Sequence, residues 1–111
     1  MKHIVTATVV ATMSLAIAGC DINDWNQKRI AKNAVAEKLR DPESAKFRSL
    51  DVFGPHGSIV VCGQVNGKNG FGAYAGFERF ISEYEGGLVR LESSWGEGFE
   101  RAWEEECRPA S

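Results

Sequence analysis

Histidine is nearly absent from this chain of 111 residues, which holds only His3 and His56, and cysteine is limited to Cys20, Cys62 and Cys107. With no Cys-x-x-C spacing and no His/Cys/Asp/Glu cluster at ligand intervals, the usual zinc arrangements and most histidine-dependent nucleophilic mechanisms have no parts to work with. No cofactor and no metal are implied. A surplus of positive charge is also missing, since 13 Lys and Arg stand against 15 Asp and Glu for a formal charge of −2. Nucleic-acid binding needs a basic footprint, so that class is excluded. There is no internal repeat and no low-complexity tract. No apolar run reaches the ~20 residues of a membrane span: the uncharged stretch Ile4 to Ile17 is shorter and is diluted by Thr6, Thr8, Thr12 and Ser14.

What that stretch does have is the order of an export signal. Met1-Lys2-His3 forms a short basic start, the uncharged segment follows, and Ile17-Ala18-Gly19-Cys20 closes it. This end resembles the lipobox of bacterial prolipoproteins, in which an aliphatic residue and two small residues precede an invariant cysteine. The small residues admit an extended backbone to a peptidase, and the Cys20 thiol is the nucleophile that takes a diacylglyceryl group; an uncleaved transmembrane helix is the competing reading. The expected organisation is a signal peptide over residues 1 to 19, a lipidated leader over 20 to 23, and one small domain over 24 to 111. Palmitate or another second acyl chain completes a stable anchor, because one chain binds membranes only marginally. Asp21 directly after Cys20 resembles the inner-membrane retention signal of enteric bacteria, which favours the periplasmic face of the inner membrane; the outer membrane is the alternative.

With Cys20 committed to lipid, Cys62 and Cys107 are left over in an oxidising compartment, where one disulfide is the natural outcome. A shared metal is the alternative, and it lacks further ligands. Loss of Lys2 with the signal peptide shifts the formal charge from −2 to −3. The charge is unevenly placed. Residues 21 to 50 hold seven bases (Lys28, Arg29, Lys32, Lys38, Arg40, Lys46, Arg48) against five acids, whereas residues 81 to 111 hold eight acids against three bases. Two solvated helix faces account for this. A sharper reading sets the basic first helix beside anionic lipid headgroups, next to the anchor.

Asp24 followed by Gln27 reads as a capping box for a helix from Trp25 to Arg40, with Ala31, Val35 and Leu39 on its apolar stripe. Asp41-Pro42 stops it, and Pro42 to Lys46 reads as one short helical turn capped by Asp41. The period then changes toward two. Phe47 to Phe53 and Ser58 to Asn66 are expected strands joined by Gly54-Pro55-His56-Gly57, and Ile59-Val60-Val61-Cys62 is apolar on both faces, which places its strand centrally. Tyr74 to Tyr84 and Leu88 to Ser93 complete an antiparallel meander around Glu85-Gly86-Gly87. A last helix opens at Ser94 with Glu97 as reciprocal cap, and Phe99, Ala102, Trp103 and Cys107 share its buried face. The expected class is α+β: a helix, a meander of about four strands, a helix.

The most unusual segment runs from Asn66 to Phe77. Gly70, Gly72 and Ala75 match G-x-G-x-x-A, but a dinucleotide site also needs a βαβ unit that this chain cannot supply. Gly67-Lys68 is not a P-loop, because Cys62 stands where its first glycine belongs and Asn69 where a Ser or Thr should bind magnesium. Two readings remain: a wide hairpin loop whose glycines supply positive φ, or a binding loop presenting Asn66, Lys68, Asn69, Phe71 and Tyr74 to a partner. Glu78, Glu83 and Glu85 could form a carboxylate pair for glycan cleavage, but Glu on a sheet face is more often solvated. Trp25, Trp95 and Trp103 read better as core or staple residues than as a sugar platform.

Asp41-Pro42-Glu43-Ser44-Ala45-Lys46-Phe47, then Val61-Cys62-Gly63-Gln64-Val65-Asn66-Gly67-Lys68-Asn69 with Phe71-Gly72, Tyr74, Gly76-Phe77 and Phe80-Ile81, resemble a set of small uncharacterised exported lipoproteins of proteobacteria and their prophages. The resemblance implies the same domain boundaries and an important loop, and it implies no catalytic residue. A non-enzymatic, lipid-anchored interaction module with an envelope-protein partner, serving superinfection exclusion where a prophage carries it, is the expectation. A periplasmic glycan binder, or an inhibitor of a glycan-cleaving enzyme, is the alternative.

Overall fold

The computed structural model describes residues 19–54 and 58–108, with side chains from Asp24 onward. Residues 1 to 18, which hold most of the expected signal peptide, the side chain of Cys20 and the turn residues Pro55 to Gly57 lie outside the described residues. The elements follow in the order α1 (Gly19–Ala36), a 3-10 turn (Pro42–Ser44), β1 (Lys46–Phe53), β2 (Val60–Asn66), β3 (Glu78–Glu83), a second 3-10 turn (Tyr84–Gly86), β4 (Val89–Leu91), α2 (Glu92–Trp95) and α3 (Gly98–Glu106). The four strands form one antiparallel sheet in the order β1-β2-β3-β4. The chain is thus an α+β meander with helices at both ends. No described helix is long and apolar enough to cross a membrane.

The sheet is a middle layer. On one face α1 packs Ala31 and Val35 against Val61, Val65, Phe80, Val89 and Leu91. On the other, α3 packs Phe99 and Ala102 against Val60, Cys62 and Ile81. The β2 strand therefore needs apolar residues on both sides, which is why the run from Ile59 to Cys62 is buried throughout. Gly63 serves the same packing: a Cβ there would come within 3.1 Å of the Phe80 ring and 3.2 Å of Leu50. Its bare backbone lets the buried Phe80 ring lie across the strand and meet Phe47 edge-on at 5.9 Å.

Strict alternation along β1 would send Phe47 and Leu50 to opposite faces. A bulge prevents this. The pairing register shifts between Arg48 and Asp51 as it passes Ser49, which has φ +55°, so Phe47, Leu50 and Val52 all join the α1-side cluster. Lys46, Arg48, Asp51 and Phe53 are left for the α3 side.

Several expected boundaries move. The first helix begins before Trp25, so Asp24 is no cap; it lies inside α1 and pairs with Lys28 at 3.1 Å. A capping box works only where the chain enters the helix, and nothing between Cys20 and Asn23 forces the entry to fall there. At its far end α1 stops at Ala36 rather than Arg40, because Lys38 and Leu39 donate to carbonyls three residues back and tighten the last turn. The 3-10 turn after Pro42 is shorter than expected, and it is tied by the Asp41 carbonyl instead of the Asp41 side chain. The third strand starts at Glu78, four residues late, since Gly72 and Gly76 adopt φ of +76° and +105° and cannot continue a ladder. The expected single helix from Ser94 is two: α2 starts at Glu92, Gly96 at φ +83° breaks the backbone, and α3 begins at Gly98 without a side-chain cap. Neither Ser94 nor Glu97 plays the reciprocal role.

The α3 face is as expected. Phe99 and Ala102 are buried, Trp103 is half-buried, and Cys107 stands against Cys62 of β2 with Cα atoms 5.9 Å apart and their sulfurs at bonding distance. The other tryptophans correct the sequence reading. Trp25 is 65 % exposed and Trp95 is 43 % exposed, so neither is a core residue. A tryptophan signals apolar area, and the one-dimensional pattern does not say whether another element arrives to cover it.

Candidate functional site

The loop after β2 is held by its own side chains. Asn69 Oδ1 accepts the N–H groups of Phe71 at 2.9 Å and Ala73 at 3.3 Å, and Asn66 Oδ1 accepts that of Gly76 at 3.0 Å. Asn69 N–H in turn donates to the Ala73 carbonyl at 2.8 Å. The two asparagines, expected as groups offered to a partner, are instead spent on the loop's backbone, which irregular segments must satisfy somewhere.

A second clamp comes from outside the loop. Ser44, in the 3-10 turn, is buried; its hydroxyl donates to the Asp41 carbonyl at 2.7 Å and accepts the Lys68 N–H at 2.8 Å. Its carbonyl accepts the Tyr74 hydroxyl at 3.0 Å. The Asp41-to-Phe47 and Val61-to-Phe77 segments, far apart in sequence, therefore meet at one serine. Sequence reasoning did not single out Ser44. Its place directly after Pro42 and Glu43 gave no sign that it would reach the loop.

Of the expected binding residues, the structure leaves Phe71 and Lys68 outward. Phe71 is 96 % exposed, whereas Tyr74 at 38 % is docked on Ser44 and covered by Lys46, whose Nζ lies 4.3 Å from the ring centroid. Lys68 Nζ stands 5.6 Å from the same ring, and the Arg48 guanidinium lies 3.8 Å from the centroid of Phe77. Arg40 closes the rim, so near Gly70 that a Cβ there would meet its guanidinium at 3.1 Å. The outcome is a hydrogen-bonded loop whose tip carries one bare aromatic ring, Phe71, and whose rim carries Arg40, Lys46, Arg48 and Lys68 against Gly70, Tyr74 and Phe77. Cations over ring faces contribute about 0.5–1 kcal/mol each at such exposed positions.

Beside this surface a cleft of about 140 Å³ opens between β1, β2 and α3, with Ser49, Asp51, Gln64 and Trp103 on its walls and the Cys62–Cys107 pair at its base. Small-molecule sites start near ~300 Å³, so this cleft suits a few water molecules or one side chain of a partner. Among the described residues no group of three or more His, Cys, Asp or Glu is placed to hold a metal ion.

The acidic C-terminal block is not simply a solvated face. Arg79 of β3 reaches Glu92 at 2.7 Å and Glu100 at 2.5 Å while lying over Phe99 and Trp103, and Arg90 of β4 reaches Glu106 at 2.7 Å and Glu83 at 3.3 Å. Hydrogen bonds to Glu100 and Glu92 hold the Arg79 guanidinium above the ordinary arginine range, and the same bonds from Arg79 hold both carboxyls below the ordinary carboxylate range. Glu78 accepts from the Ser93 hydroxyl at 2.7 Å and Glu83 serves Arg90. These two carboxylates occupy opposite ends of β3 and opposite faces of the sheet, so they do not form a pair around one bond.

Carboxyls with depressed folded-state values contribute stability that is present above their unfolded value and is lost as pH falls through the folded one. Wild-type stability should therefore hold near neutrality and fall once pH drops below about 4.5, the ordinary value from which Glu92 and Glu100 are lowered. Arg79→Met should lower stability at pH 7 and should flatten the acid limb. Urea midpoints of the two proteins at pH 7 and pH 3.5 check this; parallel pH curves would mean that the network does not couple to folding.

No protein family, curated protein or solved structure matches the chain.

Proposed function

We propose that this chain is a lipid-anchored, extracytoplasmic interaction module that engages an envelope protein through the loop between β2 and β3. One observation carries the reading: Phe71 is 96 % exposed on a loop that the side chains of Asn66, Asn69 and Tyr74 hold in place. Ordering a loop and its side chains is a large cost of association, and here the loop is ordered before a partner arrives. A bare aromatic on a loop that also presents bases has the composition of an interface hot spot, where a few aromatic and arginine residues that become buried dominate affinity. No catalytic step is assigned. The lipobox resemblance of residues 17 to 20 supports the anchor, and the likeness to prophage-borne exported lipoproteins supports a role in excluding a second phage. Asp21 favours the inner membrane as the site of anchoring.

The glycan reading draws on the half-exposed rings of Tyr74 and Phe77. Those rings have Lys46 and Arg48 over their faces, so a sugar would have to displace both cations before it could stack. The protein partner is preferred on that ground.

A photo-reactive amino acid placed at position 71 of the anchored protein should cross-link one envelope protein in living cells. Phe71→Ala should retain its circular dichroism spectrum, because a side chain this exposed contributes little to folding, and should lose the partner by tenfold or more, at about 1.4 kcal/mol per decade. Tyr74→Phe removes only the bond to Ser44 and should loosen the loop, with a smaller loss. If position 71 gives no cross-link while the protein co-sediments with peptidoglycan, the glycan reading replaces this one.

A further inference from the structure

The outward face of α1 points to a second contact, and we infer that this face lies on the surface of an anionic bilayer, with the sheet stacked behind it. The inference rests on Cys20 being the lipid anchor. Along α1, Ala31 and Val35 face the sheet, and the exposed Trp25, Arg29 and Lys32 fall on the outward side at i, i+4 and i+7, with half-buried Lys28 at the border of the two faces. Trp25 is 65 % exposed and has the Arg29 guanidinium 5.9 Å from its ring centroid. Lys28 is paired with Asp24 at 3.1 Å, Arg29 donates to Asn26, and Lys32 has no partner among the described residues. From Trp25 to Ala36 the sequence contains no acid at all.

Position selects the occupant. Trp25 follows Cys20 by five residues of continuous helix, about 7–8 Å along the axis, so acyl chains on Cys20 would keep this ring within reach of the headgroups. Tryptophan suits that depth because its body is apolar and its indole N–H is polar. Lysine and arginine held within a Debye length of ~8 Å of an anionic leaflet each favour the docked state by roughly fivefold. A helix face bearing one interfacial aromatic and two bases that no acid pairs among the described residues, Arg29 and Lys32, beside a lipid anchor complements such a leaflet. With α1 flat on the bilayer, the layers stack as membrane, α1, sheet, α3, and the cleft beside Trp103 faces away from the lipid.

The test uses the full lipoprotein purified from cells and reconstituted in vesicles of brominated phosphatidylglycerol mixed with phosphatidylcholine. Bromine quenches tryptophan at short range. Wild-type protein should be quenched, Trp25→Phe should lose most of that quenching, and Trp95→Phe should keep it. Substituting Arg29→Gln and Lys32→Gln together should shift the docked-to-undocked ratio by roughly 30-fold, and brominated phosphatidylcholine alone should quench wild type far less. Equal quenching of wild type and Trp25→Phe, or equal quenching by anionic and zwitterionic vesicles, overturns the inference. Intact mass read on the same preparation separates the two possible failures: a protein without acyl mass removes the anchor and this inference with it, whereas an acylated protein without Trp25 quenching removes the inference alone.

Discussion

Replacing Cys62 and Cys107 together by alanine is expected to lower the stability of the domain by about 4 kcal/mol, the largest effect of any change outside the anchor. The pair spans 45 residues, and the chain-entropy relation for a closed loop of that length gives roughly this value at 25 °C. Small domains have only about 5–15 kcal/mol in total, so the bridge decides whether this one is securely folded. The consequence should be local before it is global. The nine-residue helix α3 is too short to persist by itself and meets the sheet through Phe99, Ala102 and Trp103. Without the sulfur link its C-terminal turn should fray first, and amide exchange should rise from Trp103 onward while β2 and β3 stay protected. Urea titration of the oxidised protein and of the double variant measures the main effect. Two thiols titrating in unfolded protein that has never been reduced would contradict the bridge itself.

The loop shows why some of the site was visible in the sequence and some was not. The run Ile59 to Cys62 announced a central strand because burial on both faces leaves no room for a polar alternation, and the i, i+3, i+4, i+8 set from Phe99 to Cys107 announced its own buried face. Both patterns are local consequences of one repeat period. The bulge at Ser49 is different: it exists so that Phe47 and Leu50 can share a face, a demand that comes from Phe80 across the sheet. The length of α1 was misjudged for a related reason, because Asp24 has the chemistry of a cap but is used as an ion-pair partner one turn before Lys28.

Asn66 and Asn69 taught the same lesson at the candidate site. A donor-and-acceptor side chain in a glycine-rich loop can serve a partner or the backbone, and only the positions of the unpaired N–H groups of Phe71, Ala73 and Gly76 decide which. Once they are spent, the loop's capacity for recognition contracts to Phe71 and its basic rim. The acidic and basic blocks were also legible as blocks, but their pairing was not: Arg79 and Arg90, single bases on two neighbouring strands, each gather two carboxylates from the C-terminal half. Among the described residues the bases of α1 receive no such acids, save Asp24 on Lys28, and so remain a side of the molecule with charge to offer.

Changing one atom at Cys20 should have the most complete effect of all. The Cys20→Ser chain should incorporate no labelled palmitate and accumulate as uncleaved precursor, because the peptidase that removes a lipoprotein signal acts only after the cysteine carries its diacylglyceryl group. A serine hydroxyl at this position is a far weaker nucleophile than a thiol, which is partly ionised even near neutral pH. The sequence around it, Ile17-Ala18-Gly19 before and Asp21 after, is unchanged, so export itself should proceed. The precursor would then be held by a single uncharged stretch shorter than a full span, diluted by Thr6, Thr8, Thr12 and Ser14, and should wash from membranes far more readily than the wild type. Radiolabelling and alkaline extraction of membranes read the two consequences separately. Palmitate entering the Cys20→Ser protein sinks the lipobox reading, and with it the case for placing α1 at a bilayer. Replacing Asp21 with Ser while keeping Cys20 then asks a narrower question: a shift of the acylated protein from inner to outer membrane fractions identifies Asp21 as the retention signal, and an unchanged distribution rejects it.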